Sequence, residues 1–349
     1  MRLLARKQVL IVAGILLLCE ARAAGPAGPL FDDDAVLELT ITAPIATILR
    51  ERSTEKYEPG TVSVRNPGGS VSEFEVRIRA RGNFRRETCR HPPAWLNFRK
   101  SDVAGTLFAG QGKLKLVVHC DRSPLYDQLV IKEYLAYRVF NQLTDNSFRV
   151  RLLHVTYVDS DTGDARPPRY AFLIEHKSSL AARLGRDALD IDQASVAALD
   201  PVQLNLAIVF QYFIGNTDFS PLAAPAGNSC CHNFVLFGAP GQAAVAIPYD
   251  FDQSGFVAAP YALPDPRFRI KNVRTRLYRG YCANNDRLAG SLQRFRDERG
   301  AIYALLAETP GLDASARKRL VAYTDRFYDL IDSPEDVHRR LENKCRRQP

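Results

Sequence analysis

A chain of 349 residues with 46% hydrophobic content is long enough to bury a sizeable core, as one large or two modest domains. Its composition excludes disorder and collagen-like repeats, and it carries no low-complexity segment. The formal charge of +8 is spread along the chain. Apart from a short group at Arg79, Arg81, Arg85 and Arg86 and an Arg-rich tail there is no basic stripe with interleaved aromatics, so nucleic acid is not expected as a partner.

In chain order, residues 1–23 read as a signal peptide. Arg2, Arg6 and Lys7 form a basic start, Val9 to Leu18 an apolar run too short to span a bilayer, and Ala21-Arg22-Ala23 a cleavage pattern. Removing them takes the formal charge from +8 to +5. No later segment is apolar enough to cross a membrane, so the expected product is exported and soluble, either periplasmic or secreted. Cleavage also removes Cys19 and leaves six cysteines, an even number that reads as disulfides in an exported chain. Neighbouring cysteines rarely bond each other, so the expected pairing is Cys89 with Cys120, and Cys230 and Cys231 with Cys282 and Cys345. Zinc is the rival reading, but the spacing fits no common ligand pattern.

Residues 24–34, rich in Gly, Pro and Asp, read as a linker. Strand patterns follow at Val36 to Thr42, Glu73 to Arg81, Ala94 to Phe98 and Lys113 to His119. The second alternates strictly, with Phe74, Val76, Ile78 and Ala80 on one side. Leu125 to Leu143 has an apolar stripe at helical spacing, and Glu133 sits on that stripe, where a carboxylate needs a partner. Strands return at Val150 to Val158 and Arg169 to Glu175. Asp200 caps a strongly apolar helix with Pro201 in its first turn, and Gly215 ends it. A hairpin spans 234–249 with Gly241 in its turn. Helices are expected over Asp286 to Ala307, Asp313 to Ile331 and from Ser333. The division expected is a β-rich N-terminal lobe at 35–177 and a helical C-terminal lobe at 178–349, with the connection near Glu175 to Ser179.

The chemistry concentrates in Phe213 to Gly255. Asp218 follows the buried helix, Asn233 begins the hairpin, and Asp250 and Asp252 end it. Carboxylates two residues apart repel unless a cation lies between them, and an oxygen-rich set with Asn suits Mg²⁺ or Mn²⁺. Phosphoryl transfer requires such a set, an Asp at the attacking hydroxyl, and a Lys fixed by a Glu on the phosphates. Lys113 or Lys115 precedes the helix carrying Glu133, although that Glu would equally accept a nearby Arg. A cysteine or serine hydrolase is not supported, since neither His119 nor His232 has a nucleophile at suggestive spacing.

Four pieces, Arg79-Ala80-Arg81-Gly82-Asn83, Ala171-Phe172-Leu173-Ile174-Glu175, Asn233-Phe234-Val235-Leu236 and Ile247-Pro248-Tyr249-Asp250-Phe251-Asp252, resemble the spore-coat CotH kinase family over roughly residues 70–257. The resemblance implies an α+β, two-lobed atypical protein-kinase-like fold, ATP with a divalent metal, and transfer to a Ser or Thr hydroxyl of a protein or cell-surface acceptor. It implies Asp218 as the catalytic Asp, Asn233 and Asp250, with Asp252, as metal ligands, and Glu175 near the adenine at the lobe connection. Arg81 and Lys113 or Lys115 would face phosphate, with Glu133 as the lysine's partner. Asn97 stands where the family often has a Lys, Asp218 and Asn233 are 15 residues apart, and no Gly-rich phosphate loop is present. Because an exported compartment holds little ATP, a non-catalytic envelope pseudokinase that binds without turnover is the alternative expectation.

Overall fold

The structure is a computed structural model that describes residues 28–66 and 68–347. The signal-peptide segment lies outside the described residues. Of the expected linker, residues 29–31 form a single 3-10 turn that buries Leu30 and Phe31, while Asp33 and Asp34 ion-pair with Arg151 and Arg138.

Seven strands form a closed barrel: β1 (Leu37–Ala43), β2 (Glu58–Arg65), β3 (Val71–Ala80), β4 (Ala94–Asn97), β5 (Lys113–Val117), β6 (Val150–Asp159) and β7 (Arg169–Ile174). The order is β1-β2-β3-β4-β5-β7-β6, and β6 returns to pair in parallel with β1 from Leu37↔Leu153 to Ala43↔Asp159. Alternation directs Leu39, Ile41, Val62, Val64, Val76, Ile78, Leu96 and Leu114 into one apolar cluster. Strand β2 was not expected because Pro59 and Gly60 interrupt its pattern. Gly60 is there because a Cβ would meet the Thr42 carbonyl 2.8 Å away and Ala43 Cβ at 3.1 Å, so β1 and β2 approach only over a glycine.

Three helices join the barrel region: the short α1 (Ile45–Glu51) and α2 (Phe84–Thr88) and the long α3 (Leu125–Leu143). Helix α3 has the expected bounds. Its buried face carries Tyr134, Tyr137 and Phe140, whose rings meet Phe172 of β7, Phe251 and Phe210. Beyond the barrel come α4 (Lys177–Leu184) and α5 (Pro201–Ile214). Asp200 caps α5 by accepting from the Gln203 N–H at 2.8 Å, and Gly215 ends it at φ 64°. A three-stranded sheet, ordered β10-β9-β8, contains β8 (Asp187–Ala188) and the expected hairpin β9 (Phe234–Gly238) and β10 (Val245–Pro248). The remainder is α6 (Leu288–Asp297), α7 (Arg299–Glu308), α8 (Ala314–Ile331) and α9 (Pro334–Arg340). The single helix expected over 286–307 is broken at Glu298, because α6 packs on α5 whereas α7 turns to meet α3 and α8.

The two-lobed kinase-like expectation is overturned. In place of a β-rich lobe joined to a helical one, seven strands close into a barrel, and one apolar cluster runs from β5, β6 and β7 through α3 into α5, the hairpin and the C-terminal helices. The deciding contact is the parallel β1–β6 pairing. It consumes the edge an open sheet would present, and alternation within a strand does not encode which strand will lie beside it.

The disulfide expectation is half corrected. Cys89–Cys120 forms, but Cys230 bonds Cys231 and Cys282 bonds Cys345. The last pair is brought together by a bridge between Tyr281 and Arg346, with the Arg346 N–H donating to the Gly280 carbonyl at 2.7 Å. Disulfides are what an oxidising, exported compartment sustains, and among the described residues no helix is long and apolar enough to cross a membrane.

Two outcomes follow. Gly215→Ala places a Cβ on a left-handed residue against the buried Tyr323 hydroxyl; it should lower stability by about 2 kcal/mol or more, read as a lower urea midpoint, and an unchanged midpoint refutes the tight seating of this helix end. The Cys282–Cys345 link spans a sequence separation of 63. Replacing both residues by Ser should cost about 2–4 kcal/mol in the same measurement, and no loss would mean that the C-terminal tail is held without the bond.

Candidate functional site

The end of α5 sets the first part of the site. After Gly215, the Asn216 Oδ1 accepts from the Asp218 N–H at 2.9 Å, and Arg279 Nη1 donates to the Thr217 and Phe219 carbonyls at 2.7 Å each. Asp218 is thereby held from both sides along its backbone. Its carboxylate is also partnered: His232 Nε2 lies 2.7 Å from Oδ1, and Asn233 Nδ2 donates to Oδ2 at 3.1 Å and to the Asp218 carbonyl at 2.7 Å.

The hairpin sets the second part. Asn233 enters β9 and Asp250 leaves β10, and both hold a left-handed backbone, at φ 55° and 64°. Asn and Asp tolerate this region better than other non-Gly residues, and such positions cluster at functional sites. The Asp250 N–H donates to Tyr137 Oη on α3 at 2.8 Å. Phe251, fully buried beside Tyr137 and Phe210, anchors the turn that brings Asp252 in.

The barrel supplies the cationic wall. Arg81 follows β3 and Lys115 lies on β5. Lys115 Nζ stands 4.3 Å from the Tyr249 ring centre and 6.0 Å from that of Trp95, and the Arg81 guanidinium is 5.9 Å from Trp95. Arg81, Lys115, Asp218, Asn233, Asp250 and Asp252 all line one cavity of about 430 Å³ between the barrel and the hairpin. This places six of the nine sequence-derived site residues together.

The other three are elsewhere. Lys113 is exposed and does not line the cavity. Glu133 does not pair with a lysine: its buried carboxylate meets Arg85 Nη1 at 3.3 Å, and Arg85 also donates to the Val118 carbonyl. Arg85 lies in α2, the short helix that follows Arg81-Gly82-Asn83, and is the buried residue of that helix. Glu175 does follow β7 at the start of α4, but it faces inward. Its carboxylate takes Arg183 Nε at 3.3 Å, Arg183 Nη2 at 3.1 Å and the Arg149 N–H at 3.1 Å, which leaves it a structural ion pair. His232 and Tyr137 are the contributors that the sequence reading missed. His232 precedes Asn233, but its partner Asp218 lies across a cysteine-bearing insert. Cys231 of the vicinal disulfide also lines the cavity.

Electrostatically the cavity brings together groups of both signs, and burial holds back the charge on several of them. Burial pushes the Lys115 ammonium down to about 7, Arg81 adds to this, and Asp250 opposes it. Burial lowers Arg81 too, with Asp250 opposing. On the acid side, burial and then Asp250 push the Asp252 carboxyl up to about 7 against the pull of Arg85. Burial raises Glu133 to about 8, opposed by Arg85 and reinforced by Asp252 and Asp250. The hydrogen bond to Asp218 raises His232 against burial.

The donors Asp218, Asn233, Asp250 and Asp252 are all hard oxygens, which suits Mg²⁺ or Mn²⁺ and not zinc. Among the described residues no group of three or more His, Cys, Asp or Glu side chains is arranged to hold a metal by itself. No protein-family model matches the chain, and no curated protein matches it.

Proposed function

We propose that this cavity binds a nucleoside triphosphate with Mg²⁺ or Mn²⁺ and directs phosphoryl transfer to a hydroxyl of a protein or cell-surface acceptor. One observation carries the reading: a cationic wall, Arg81 and Lys115, and an oxygen-donor wall, Asp218, Asn233, Asp250 and Asp252, face the same cavity. A polyphosphate restores the charge that burial removes from Lys115, and a divalent cation restores the charge that burial and Asp250 remove from Asp252. A metal–polyphosphate is the simplest ligand that does both.

In this reading Asn233 and Asp250, with Asp252, hold the cation, which when bound neutralises charge on the transferring phosphate oxygens. Asp218 orients the acceptor hydroxyl and takes its proton. His232, at 2.7 Å from Oδ1, fixes the rotamer of Asp218 and stabilises its anion. Tyr137 sets Asp250 through the backbone N–H. Lys115 and Arg81 face the phosphates. Glu133 takes no part through a lysine; it holds Arg85, which braces the Asp252 side. The resemblance to the spore-coat CotH kinase family supports the reading only through these residues, since the fold it implied is not the one observed. The signal-peptide reading of residues 1–23 and the disulfides support a reaction in the periplasm or in secreted material. The absent Lys–Glu pair favours a second reading, in which nucleotide binds without turnover.

Adding ATP with Mn²⁺ or Mg²⁺ should raise the melting temperature of the wild type by several degrees and that of Asp250→Ala by little, because a ligand specific to the native state stabilises it. No metal-dependent shift in the wild type sinks the proposal. A shift without transfer to any acceptor favours the non-catalytic binder. A pH series gives a further check. The Asp252 carboxyl is raised in the folded protein, so its contribution to stability is full below the unfolded value near 3.8 and is lost as pH rises through about 7. Relative to the wild type, Asp252→Asn should therefore gain in melting temperature from pH 5 to pH 8 without metal. The Mn²⁺-induced shift of the wild type should grow over the same range, because the cation competes with that proton. A flat difference across the series contradicts the placement of Asp252.

A further inference from the structure

A second cavity, also of about 430 Å³, lies at one mouth of the barrel under α1, across the His91–Pro93 segment from the site above. Its walls come from several strands, with Ile41 of β1, Ile78 of β3 and Leu116 of β5, and from α1, with Ile45 and Ile48. Among the described residues no carboxylate lines it, whereas Arg122, Arg166 and Arg169 do. Arg169 is committed, with Nε on both oxygens of Asp127 at 2.9 and 2.8 Å. Arg166 is not. Its Nη1 lies 3.3 Å from His91 Nε2, which must accept and so belongs to a neutral imidazole. Arg122 is exposed, and among the described residues neither Arg122 nor Arg166 forms a salt bridge to a carboxylate.

The same end holds unpaired buried polar groups. His91 and His119 are 9% and 5% exposed, their rings are 4.6 Å apart, and the Nδ1 atoms of both lack a hydrogen-bond partner. The Cys89–Cys120 disulfide and the His91 N–H, which donates to the Cys120 carbonyl at 3.2 Å, hold the two histidines side by side. Burial and the nearby arginines keep both imidazoles neutral, so they add hydrogen-bonding groups without adding charge. A barrel of this size can hold one small ligand, and the volume falls within the range of ordinary ligand sites. An apolar chamber whose rim offers cations and neutral polar groups, with no carboxylate among its described lining residues, is complementary to a molecule with an apolar body and an anionic head.

We propose that this chamber binds an amphipathic anion, an acyl chain of medium length ending in a carboxylate or phosphate, with the chain among Ile41, Ile48, Ile78 and Leu116 and the head at Arg122 and Arg166. Calorimetric titration of the mature protein with decanoate, decyl phosphate, decanol and decyltrimethylammonium tests it. Both anions should bind at least about tenfold more tightly than decanol or the cation, and octanoate should bind roughly tenfold more weakly than decanoate. The tighter of the two anions identifies the head group. Arg122→Gln with Arg166→Gln should cost at least about tenfold for the anions and leave decanol unchanged. Ile48→Trp, which fills the mouth, should abolish binding, with melting temperatures confirming that each variant is folded. No binding of either anion at about 1 mM, equal binding of the cationic amphiphile, or anion binding unaffected by the Arg or Ile48 substitutions overturns the proposal.

Discussion

Tyr137 is the side chain on which the arrangement of this protein turns. Its ring lies 4.5 Å from that of Phe251 and 5.7 Å from that of Phe172, and its hydroxyl accepts from the Asp250 N–H. One residue of α3 thus joins a barrel strand, the turn after the hairpin and the backbone of a candidate metal ligand. Burying such a ring is worth a few kcal/mol, and truncating it would leave the Asp250 N–H without its partner. The hydroxyl stays a phenol, since burial first and Glu133 and Asp250 next raise its pKa well above the ordinary value.

A second constraint acts through charge. The wall between barrel and hairpin places Arg81, Arg85 and Lys115 near Glu133, Asp250 and Asp252, with little water to screen them. Only Arg85 and Glu133 pair directly. The rest are separated across the cavity, which is why burial weakens both Lys115 and Asp252. In a purely structural network opposite charges close onto each other, as Glu175 and Arg183 do a short distance away. The charges held apart in this cavity are the observation on which the proposed function rests.

Local pattern made much of this legible. Helices α3, α5 and α8 could be read from apolar spacing, from Asp200 with Pro201, and from Gly215, because caps and periodicity are written within a few residues. The hairpin was visible for the same reason, and its acidic ends drew attention because like charges two residues apart need a cause. What local pattern lacks is partner identity. It did not show that Glu133 would take Arg85 over a lysine, that His232 would cross the insert to Asp218, or that Cys230 and Cys231 would bond each other.

By itself the sequence determined where most strands and helices begin and end, which faces are apolar, and that Asp218, Asn233, Asp250 and Asp252 belong to one region. Those properties depend on side-chain periodicity and on backbone chemistry within a turn or two. Tertiary structure alone decided that the strands close into a barrel, through the parallel pairing of β1 with β6, segments more than a hundred residues apart. It also decided that Arg81 and Lys115 face the acidic hairpin while Lys113 and Glu175 do not, and that an apolar chamber with a cationic rim lies at the barrel mouth. Each of these depends on which surfaces meet when the apolar clusters are buried together, and no single segment carries that information.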